Sequence, residues 1–551
     1  MRSARLLRLV AVLTLVGCTS KSSGPRGVGQ RLIEGGGQAL AVAPRSAAVV
    51  YLHEPAHPVG KLLPPDAYLG ELMMVAPDGS IHSLGGEATN LTGSLAFASD
   101  GQELAFLEHF SFENHVGDLV LADLRGETSP VAPQTSYFGF EPGHDFIGYI
   151  SGPSATLRVG HRTLNGKPGP PADPDRVVDT QVATFEFVQS HDRPPEILYR
   201  MKSTAGSLLR RAGLEQATVE TLGEHVGDYQ VAAIDGSVAY TVETEEGTSD
   251  LHVNRRGSGD RKLGEQASSF LFSPDGRYLA FVAGVDPQRL LGDIWIADVE
   301  KGTPPLRLGK NAGSYRFSAD NRLGFIHDYY EPTRAGKFDL WDPVRGVLPI
   351  ANSARVFGFS PSGKYLGYLK RVFKPAYTEQ LMLLQLDVPG ATLGDGKFVG
   401  EAIYAFDFTP DEQSILYKTD CTRGGEACEL MSVPVAAPSM PQAGTPDGGG
   451  VMAAVGRNPN ARKLVSGVDD YDFSPDGKWL WVTFKNAIGE TVDVAVIPAQ
   501  GGSLPRYVDF KIEPGPRWTA GGKIAYVVNN PKRAGLYEAD PAAAQPLKLG
   551  R

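Results

Sequence analysis

The chain has 551 residues, 42% of them hydrophobic, and it contains 65 glycines and 41 prolines. Single hydrophobic cores stop growing at about 250–300 residues, so this length predicts two domains or one long array of repeats. The glycine and proline content is typical of a protein with many tight turns. The formal net charge of −10, with no stripe of basic residues, argues against a nucleic-acid partner.

Residues 1–17 predict a bacterial lipoprotein signal peptide. Arginines at positions 2, 5 and 8 precede an apolar stretch over residues 9–15, which is too short to cross a membrane as a helix. The stretch runs into LVGC, whose last residue is Cys18, and this tetrapeptide resembles a lipobox. We therefore expect diacylglycerol on Cys18 and a flexible tether over residues 18–33, and Thr19 favours the outer membrane. An ordinary signal peptide with a chance cysteine is the alternative.

His53 and His57 match the letters of the zinc motif His-Glu-x-x-His. That motif works only on a helix, which places both histidines on one face. Pro55 lies in the middle of the segment and would break such a helix. Because the segment also follows the strand-like residues 48–52, we predict a turn between two strands and no metal site.

One pattern recurs along the chain: an aromatic residue, a serine or threonine, a Pro-Asp-Gly-like turn and a run of alternating apolar residues. The clearest copies read FSPDGRYLAF from Phe272, FSPDGKWLW from Phe473, FSPSGKYL from Phe359 and FASDGQELAF from Phe97. Weaker copies begin at Val42, Phe140, Phe187, Ile234, Phe317, Phe408 and Trp518. Their starts lie roughly 40 to 65 residues apart, the spacing expected of four-stranded propeller blades.

The motif suits a tight turn followed by a buried strand. Proline presets φ at the first corner, aspartate caps the turn, and glycine accepts the positive φ that follows. These structural turn positions are Asp100, Gly101, Asp275, Gly276, Gly363, Asp476 and Gly477. The strand after the turn is apolar on both faces, as in a blade packed between two neighbours. A second strand follows, such as GDIWIAD at 292–298, and a less regular strand, such as residues 547–549, would complete each blade.

The turn motif followed by a strand of the type D-[IL]-[WY]-[IV] resembles the WD-like repeats of the periplasmic protein TolB. It is also similar to the repeats that form the propellers of prolyl oligopeptidase and dipeptidyl peptidase IV. The resemblance covers most of residues 40–551. It implies an all-β fold of four-stranded antiparallel propeller blades, and it does not imply a shared function.

Eleven copies exceed the four to eight blades of a usual ring. We therefore predict two tandem propellers, over residues 34–263 and 264–551, with a division near residue 311 as the alternative. Residues 436–450 (AAPSMPQAGTPDGGG) are of low complexity and are predicted to form an exposed loop inserted into a blade.

Cys421 and Cys428 remain as a pair once Cys18 carries lipid. They flank a polar stretch between the strand-like residues 414–419 and 429–435. In an oxidising compartment we expect a disulfide across the neck of this hairpin. Half of a zinc site is the alternative, but neither CxxC spacing nor a nearby histidine supports it.

The sequence offers no catalytic centre. The Gly-x-Ser-x-Gly elbow of a serine hydrolase is missing, and the nearest match, at 358–362, lacks the final glycine. Asp469, Asp470 and Asp472 lack the spacing of a calcium loop, so we predict a solvated loop there. The scattered histidines give no ligand set; they are His109, His115, His144, His191 and His327. We expect no catalytic residue, no metal and no cofactor.

The predicted function is binding: a cell-envelope lipoprotein that holds a protein, peptide or glycan on its propeller. The alternative is an enzyme, such as a polysaccharide lyase, with its site in the central channel. Several histidines, arginines and carboxylates converging at one channel mouth would favour the enzyme, and mixed polar residues would favour binding. A TolB-like trafficking partner is a third hypothesis, which the lipid anchor weakens.

Replacing Cys18 by serine should move the protein out of the membrane fraction, because the acyl chains supply the anchoring. Cell fractionation and immunoblotting measure the change, with Ser20→Ala as the control that should stay membrane-bound. A Cys18→Ser protein that remains in the membrane fraction and resists detergent-free extraction would show that the anchor lies elsewhere.

Overall fold

The computed structural model describes residues 27–546, except residues 59–65, 144–145, 162–174, 189–193, 204–205, 215–217, 375, 388–395, 423–425, 437–457 and 487–490. Cys18, His144, His191, residues 547–549 and most of the loop 436–450 therefore lie outside the described residues. No helix in the described part of the chain is long and apolar enough to span a membrane. Its regular structure is β, apart from one 3-10 turn at Pro541–Ala543.

The strands form antiparallel sheets that follow the chain order, and four successive strands make one blade. The first strand stands apart from the first blade, and the strands up to the fifth blade are β1 Gln30–Glu34; β2 Gly37–Val42, β3 Val49–Ala56, β4 Leu69–Val75, β5 Ile81–Thr89; β6 Leu95–Phe97, β7 Glu103–Ser111, β8 Val116–Asp123, β9 Thr128–Phe140; β10 Phe146–Ser151, β11 Thr156–His161, β12 Arg176–Asp179; β13 Val182–Val188, β14 Glu196–Ser203, β15 Gly206–Gly213, β16 Val219–Glu224; and β17 Val226–Val231, β18 Val238–Glu243, β19 Ser249–Arg255, β20 Gly259–Gly264.

The remaining blades continue the pattern to the end of the described chain. Their strands are β21 Ser269–Phe272, β22 Tyr278–Asp286, β23 Leu291–Asp298, β24 Leu306–Gly309; β25 Tyr315–Phe317, β26 Leu323–Tyr330, β27 Ala335–Asp342, β28 Gly346–Phe359; β29 Tyr365–Lys374, β30 Ala376–Gln385, β31 Lys397–Glu401; β32 Ile403–Phe408, β33 Ser414–Thr419, β34 Cys428–Pro434, β35 Arg462–Val468; β36 Tyr471–Phe473, β37 Trp479–Lys485, β38 Val492–Pro498, β39 Arg506–Ile512; β40 Arg517–Trp518, β41 Ile524–Val528, β42 Gly535–Ala539; and β43 Gln545–Pro546. The long strands β9 and β28 each end one blade and begin the next.

Strand β1 completes the last blade. It pairs antiparallel with β42, so the sheet runs β40, β41, β42, β1. The tether predicted to extend to residue 33 therefore ends earlier, because Gln30–Ile33 are part of this strand. The physical reason is that β42 would otherwise present an unpaired edge of N–H and C=O groups.

Each blade is buried on both faces by its neighbours. Among the described residues, eleven hydrophobic clusters each join one pair of adjacent blades, and together they follow the ring in chain order. The cluster that closes the succession packs Ile33, Val527 and Leu536 of the eleventh blade against Val49 and Tyr51 of the first. The described residues thus form a β-propeller whose eleven blades close into one ring.

This ring differs from the two tandem propellers predicted from the repeat count. Across the predicted boundary at 263/264, Phe281 of the sixth blade packs with Val253 of the fifth. Near residue 311, Ile294 of the sixth blade packs with Phe325 of the seventh. The repeat count sets the number of blades, but it does not determine which blade packs against the last one.

The motif turns are built alike from blade to blade. In the sixth blade, Asp275 accepts hydrogen bonds from the Ser273 hydroxyl at 2.6 Å and from the Arg277 N–H at 3.0 Å. Asp476 accepts the equivalent bonds, from Ser474 at 2.7 Å and from the Lys478 N–H at 3.1 Å. The turn glycines have φ between 68° and 79°; they are Gly101, Gly276, Gly363 and Gly477. Glycine adopts such angles most readily, although the equivalent turns of the seventh and ninth blades hold Asn321 and Glu412 at positive φ.

Asp476→Ala should lower the free energy of unfolding by about 1 kcal/mol, because two turn hydrogen bonds lose their acceptor. The bonds from Ser474 and Lys478 lower the pKa of Asp476 to about 2. A lowered pKa stabilises the fold above the unfolded value of about 4, so the difference should shrink as the pH falls towards 2. Urea denaturation at a series of pH values measures it. Asp476→Asn keeps an acceptor oxygen and should therefore lose less stability than Asp476→Ala. An equal loss of unfolding free energy in both variants would contradict the role of Asp476 as a turn acceptor.

Ile33→Ala should destabilise the protein by about 2–4 kcal/mol, because it leaves a cavity where the eleventh blade meets the first. Ile33 is 5% exposed in the closing cluster, whereas Ile81, on an outer strand, is 46% exposed. Ile81→Ala is therefore the matched control and should stay within about 0.5 kcal/mol of the parent. Urea denaturation followed by tryptophan fluorescence compares the two. Equal stability of both variants would mean that β1 does not close the ring.

Candidate binding site at the central channel

The first strand of each blade lies towards the centre of the ring. Side chains of neighbouring first strands meet there: the Tyr315 hydroxyl donates to Ser269 Oγ at 2.9 Å, and the Tyr471 hydroxyl donates to Asp407 Oδ2 at 2.6 Å. These inner strands therefore line the central channel, as in other propellers.

One position on each inner strand faces the channel. Its neighbours in sequence pack between blades, as Phe185 and Phe187 do on either side of Glu186, so the strand alternation turns this position towards solvent. In nine blades it is the residue directly before the motif aromatic. We call these equivalent positions the channel ring: Ala41, Ala96, Gly139, Glu186, Gln230, Leu271, Arg316, Gly358, Asp407, Asp472 and Arg517.

Five members of the channel ring are charged, and all five are exposed: Glu186, Arg316, Asp407, Asp472 and Arg517. The acidic members are open to solvent but have the channel wall around them. This partial desolvation raises the pKa of the Glu186 carboxyl and that of Asp407. A carboxylate whose pKa is raised in this way is stabilised in its charged form when a cation approaches.

Carboxylates of the ninth and tenth blades come together as an acidic arc formed by Asp407, Asp470 and Asp472. Burial raises the pKa of Asp472, and the negative charges of Asp470 and Asp407 raise it further. For Asp407, burial and the charge of Asp470 raise the pKa, while the hydrogen bond from Tyr471 acts in the opposite direction. Asp469 and Asp470 lie in a connection between strands, as the predicted loop requires, whereas Asp472 belongs to inner strand β36.

A lysine and an exposed aromatic ring accompany the arc. The Lys418 ammonium donates to the carbonyl oxygen of Asp469 at 2.5 Å and lies 5.9 Å from the ring centre of Tyr404. Tyr404, on inner strand β32, is 52% exposed. The site thus combines mutually repelling carboxylates with a half-exposed aromatic ring.

The other candidate residues have structural positions. His53 and Glu54 belong to strand β3, which continues to Ala56, so the predicted turn begins later than expected; the His53 ring bonds the carbonyl of Glu34 at 2.8 Å. Cys421 and Cys428 form a disulfide at the end of the β33–β34 hairpin. Within the described residues, no three His, Cys, Asp or Glu side chains are grouped so that they could hold a metal ion.

The channel ring and the contribution of Asp407 were missed from the sequence. A usable signal existed, because in nine blades the ring residue directly precedes the motif aromatic. At that place the copies vary between small, aliphatic, acidic and basic residues, whereas the turn residues around them recur.

The sheets and their closed succession define a β-propeller. No protein-family model matches the sequence, and no curated protein matches it. Among solved structures, a eukaryotic initiation factor is 11% identical, with a TM-score of 0.39 over 81% of this chain and 96% of that chain. Oligogalacturonate lyase in complex with manganese is 14% identical, with a TM-score of 0.30 over 74% and 98% of the two chains. TolB from Acinetobacter baumannii is 16% identical, with a TM-score of 0.22 over 53% and 76%. The architecture rests on the sheets described above and not on these remote likenesses.

Proposed function

We propose that the protein is a lipid-anchored cell-envelope protein whose propeller binds a partner in its channel. Acyl chains on Cys18 would hold it in the outer membrane, as the leader and the lipobox-like LVGC suggest. The disulfide between Cys421 and Cys428 supports a compartment outside the cytoplasm.

The acidic arc carries the proposal for the ligand. Three carboxylates that repel one another are stabilised when a cation lies between them. The pKa values of Asp407 and Asp472 are raised first by partial desolvation and then by the charges of the neighbouring carboxylates. The exposed ring of Tyr404 offers a face on which a cationic or aliphatic side chain can pack. Of the protein, peptide and glycan classes, the arc therefore favours a basic segment of an envelope protein or peptide.

The channel ring favours binding over catalysis. None of its eleven positions is a histidine or a cysteine, and its charged members come from blades spread around the ring. General acid–base chemistry needs a positioned proton donor and acceptor at one reacting bond. A mixed polar wall instead suits recognition of an extended ligand.

A fluorescent oligolysine peptide should bind the purified protein, and Asp407→Asn with Asp472→Asn should weaken the binding about 5- to 30-fold at low salt. Both asparagines keep an oxygen for the bonds from Tyr471 and from the Phe473 N–H, so the melting temperature should change little. Fluorescence anisotropy measures the affinity. The matched control is Glu245→Gln with Glu246→Gln, which removes two exposed charges from the β18–β19 turn and should have no effect.

The pH dependence gives a second readout. Because the pKa values of Asp407 and Asp472 are raised, peptide binding should begin to weaken, as the pH falls, above the usual aspartate value of about 3.9. A neutral oligosaccharide that binds while oligolysine does not would replace the peptide proposal with a glycan one. An oligosaccharide that is shortened during incubation would favour the enzyme hypothesis.

A further inference from the structure

A pocket of about 540 Å³ lies where the ring closes. Four chain segments line it: inner strand β2 of the first blade, the connection of residues 90–95 between the first two blades, residues 513–517 leading into inner strand β40, and residues 526–529 at the end of strand β41. Its volume falls in the range of about 300–1,000 Å³ that is usual for small-molecule sites. The pocket lies at the eleventh, first and second blades, whereas the acidic arc lies on the ninth and tenth, and two members of the channel ring, Ala41 and Arg517, are among the residues that line the pocket.

A chain of amide hydrogen bonds fixes the orientation of Gln38 in this pocket. The Tyr68 N–H donates to Asn90 Oδ1 at 2.8 Å, and Asn90 Nδ2 donates to the carbonyl of Asp66 at 2.8 Å. Asn90 Nδ2 also donates to Gln38 Oε1 at 3.1 Å. Since the oxygen of Gln38 is taken, its Nε2 group remains as a donor with no acceptor among the described residues.

Other polar groups of the pocket hold the seam between blades. Asn529 Oδ1 accepts from the Gly37 N–H at 3.0 Å, and its Nδ2 donates to the Gly37 carbonyl at 3.4 Å. The Tyr526 hydroxyl donates to Asp509 at 2.9 Å. These groups are already bonded within the protein, so they do not determine which ligand the pocket accepts.

The groups that remain for a ligand include two donors, while Glu513, whose carboxylate also lines the pocket, already has an interaction partner. Arg517 is exposed, and within the described part of the chain its guanidinium has neither a hydrogen bond nor an ion pair. Together with Gln38 Nε2 it offers donors to an acceptor-rich, negatively charged group. Leu40, Leu91 and Leu95 line the same pocket and provide apolar surface for a carbon skeleton.

We propose that this pocket binds a small organic carboxylate, with Arg517 and Gln38 donating to the carboxylate and the three leucines packing on its carbon skeleton. A planar guanidinium pairs with both oxygens of a carboxylate, which makes arginine the preferred partner for such a group. The leucines select for an acid with a short apolar part.

The probes are N-acetylleucine and N-acetylleucinamide, which differ only in the carboxylate. Ligand-observed NMR titration of the purified protein should show N-acetylleucine binding with a Kd of about 0.1–1 mM and binding of the amide at least about 10-fold weaker. A peptide that ends in leucine, tested with a free and with an amidated carboxyl end, shows whether the pocket also accepts the carboxylate of a chain terminus. A free acid and a chain terminus are both carboxylate ligands.

Two variants test the residues. Arg517→Gln should weaken N-acetylleucine binding by about 10-fold or more, because the charge-assisted pair is lost. Gln38→Glu keeps an oxygen for Asn90 but replaces the free donor with a carboxylate, so it should abolish binding.

The matched control is Arg289→Gln. Arg289 lies in the β22–β23 turn, outside the channel ring, is exposed, and its side chain has no bond or ion pair with any described residue; its loss should leave binding unchanged. Equal binding of the acid and the amide, equal effects of Arg517→Gln and Arg289→Gln, or no binding of N-acetylleucine at ~10 mM would each overturn the proposal.

Discussion

The pairing of β1 with β42 is the interaction on which the rest of the ring depends. A blade has two apolar faces and can bury neither by itself, so its stability comes from its neighbours. Blades two to ten have a neighbour on each side in sequence, whereas the first and eleventh must find each other. Strand β1 holds them together through its hydrogen bonds to β42 and through Ile33, which packs against Tyr51. Because the entropy of loop closure grows only with the logarithm of length, one strand pair and one apolar cluster suffice even for a ring this long.

A ring of eleven blades has consequences for the channel that a smaller ring does not have. Eleven inner strands enclose a wider opening than four to eight, so side chains at its centre are freed from packing against one another. The charged members of the channel ring are accordingly exposed, while their sequence neighbours are buried between blades, as Phe317 is beside Arg316 and Trp518 beside Arg517. Packing therefore constrains the inner strand at every second residue and leaves the alternate position open to substitution.

The blades and their turns could be predicted from the sequence because they depend on local chemistry. Proline, aspartate and glycine set the turn at Asp275, and apolar residues on both faces mark the strand that follows. The number of rings could not be predicted, because it depends on which blade the last one packs against, and that contact is nearly as distant in sequence as the chain allows. Only part of the acidic arc is apparent in the sequence. Asp470 and Asp472 are close in sequence, but Asp407 comes near them only because the ninth blade packs on the tenth.

The same distinction separates structural from functional residues in a repeat protein. Residues that recur at one register, such as Asp275 and Asp476, serve the blade and cannot mark a single site. A binding site needs a place where the symmetry of the ring is broken. The seam between the eleventh and the first blade is such a place, because Asn529 of the last blade bonds Gly37 of the first there. Among the described residues, the two ends of the chain meet only at this interface. The pocket with Arg517 and Gln38 lies at that seam, where the first and last blades meet.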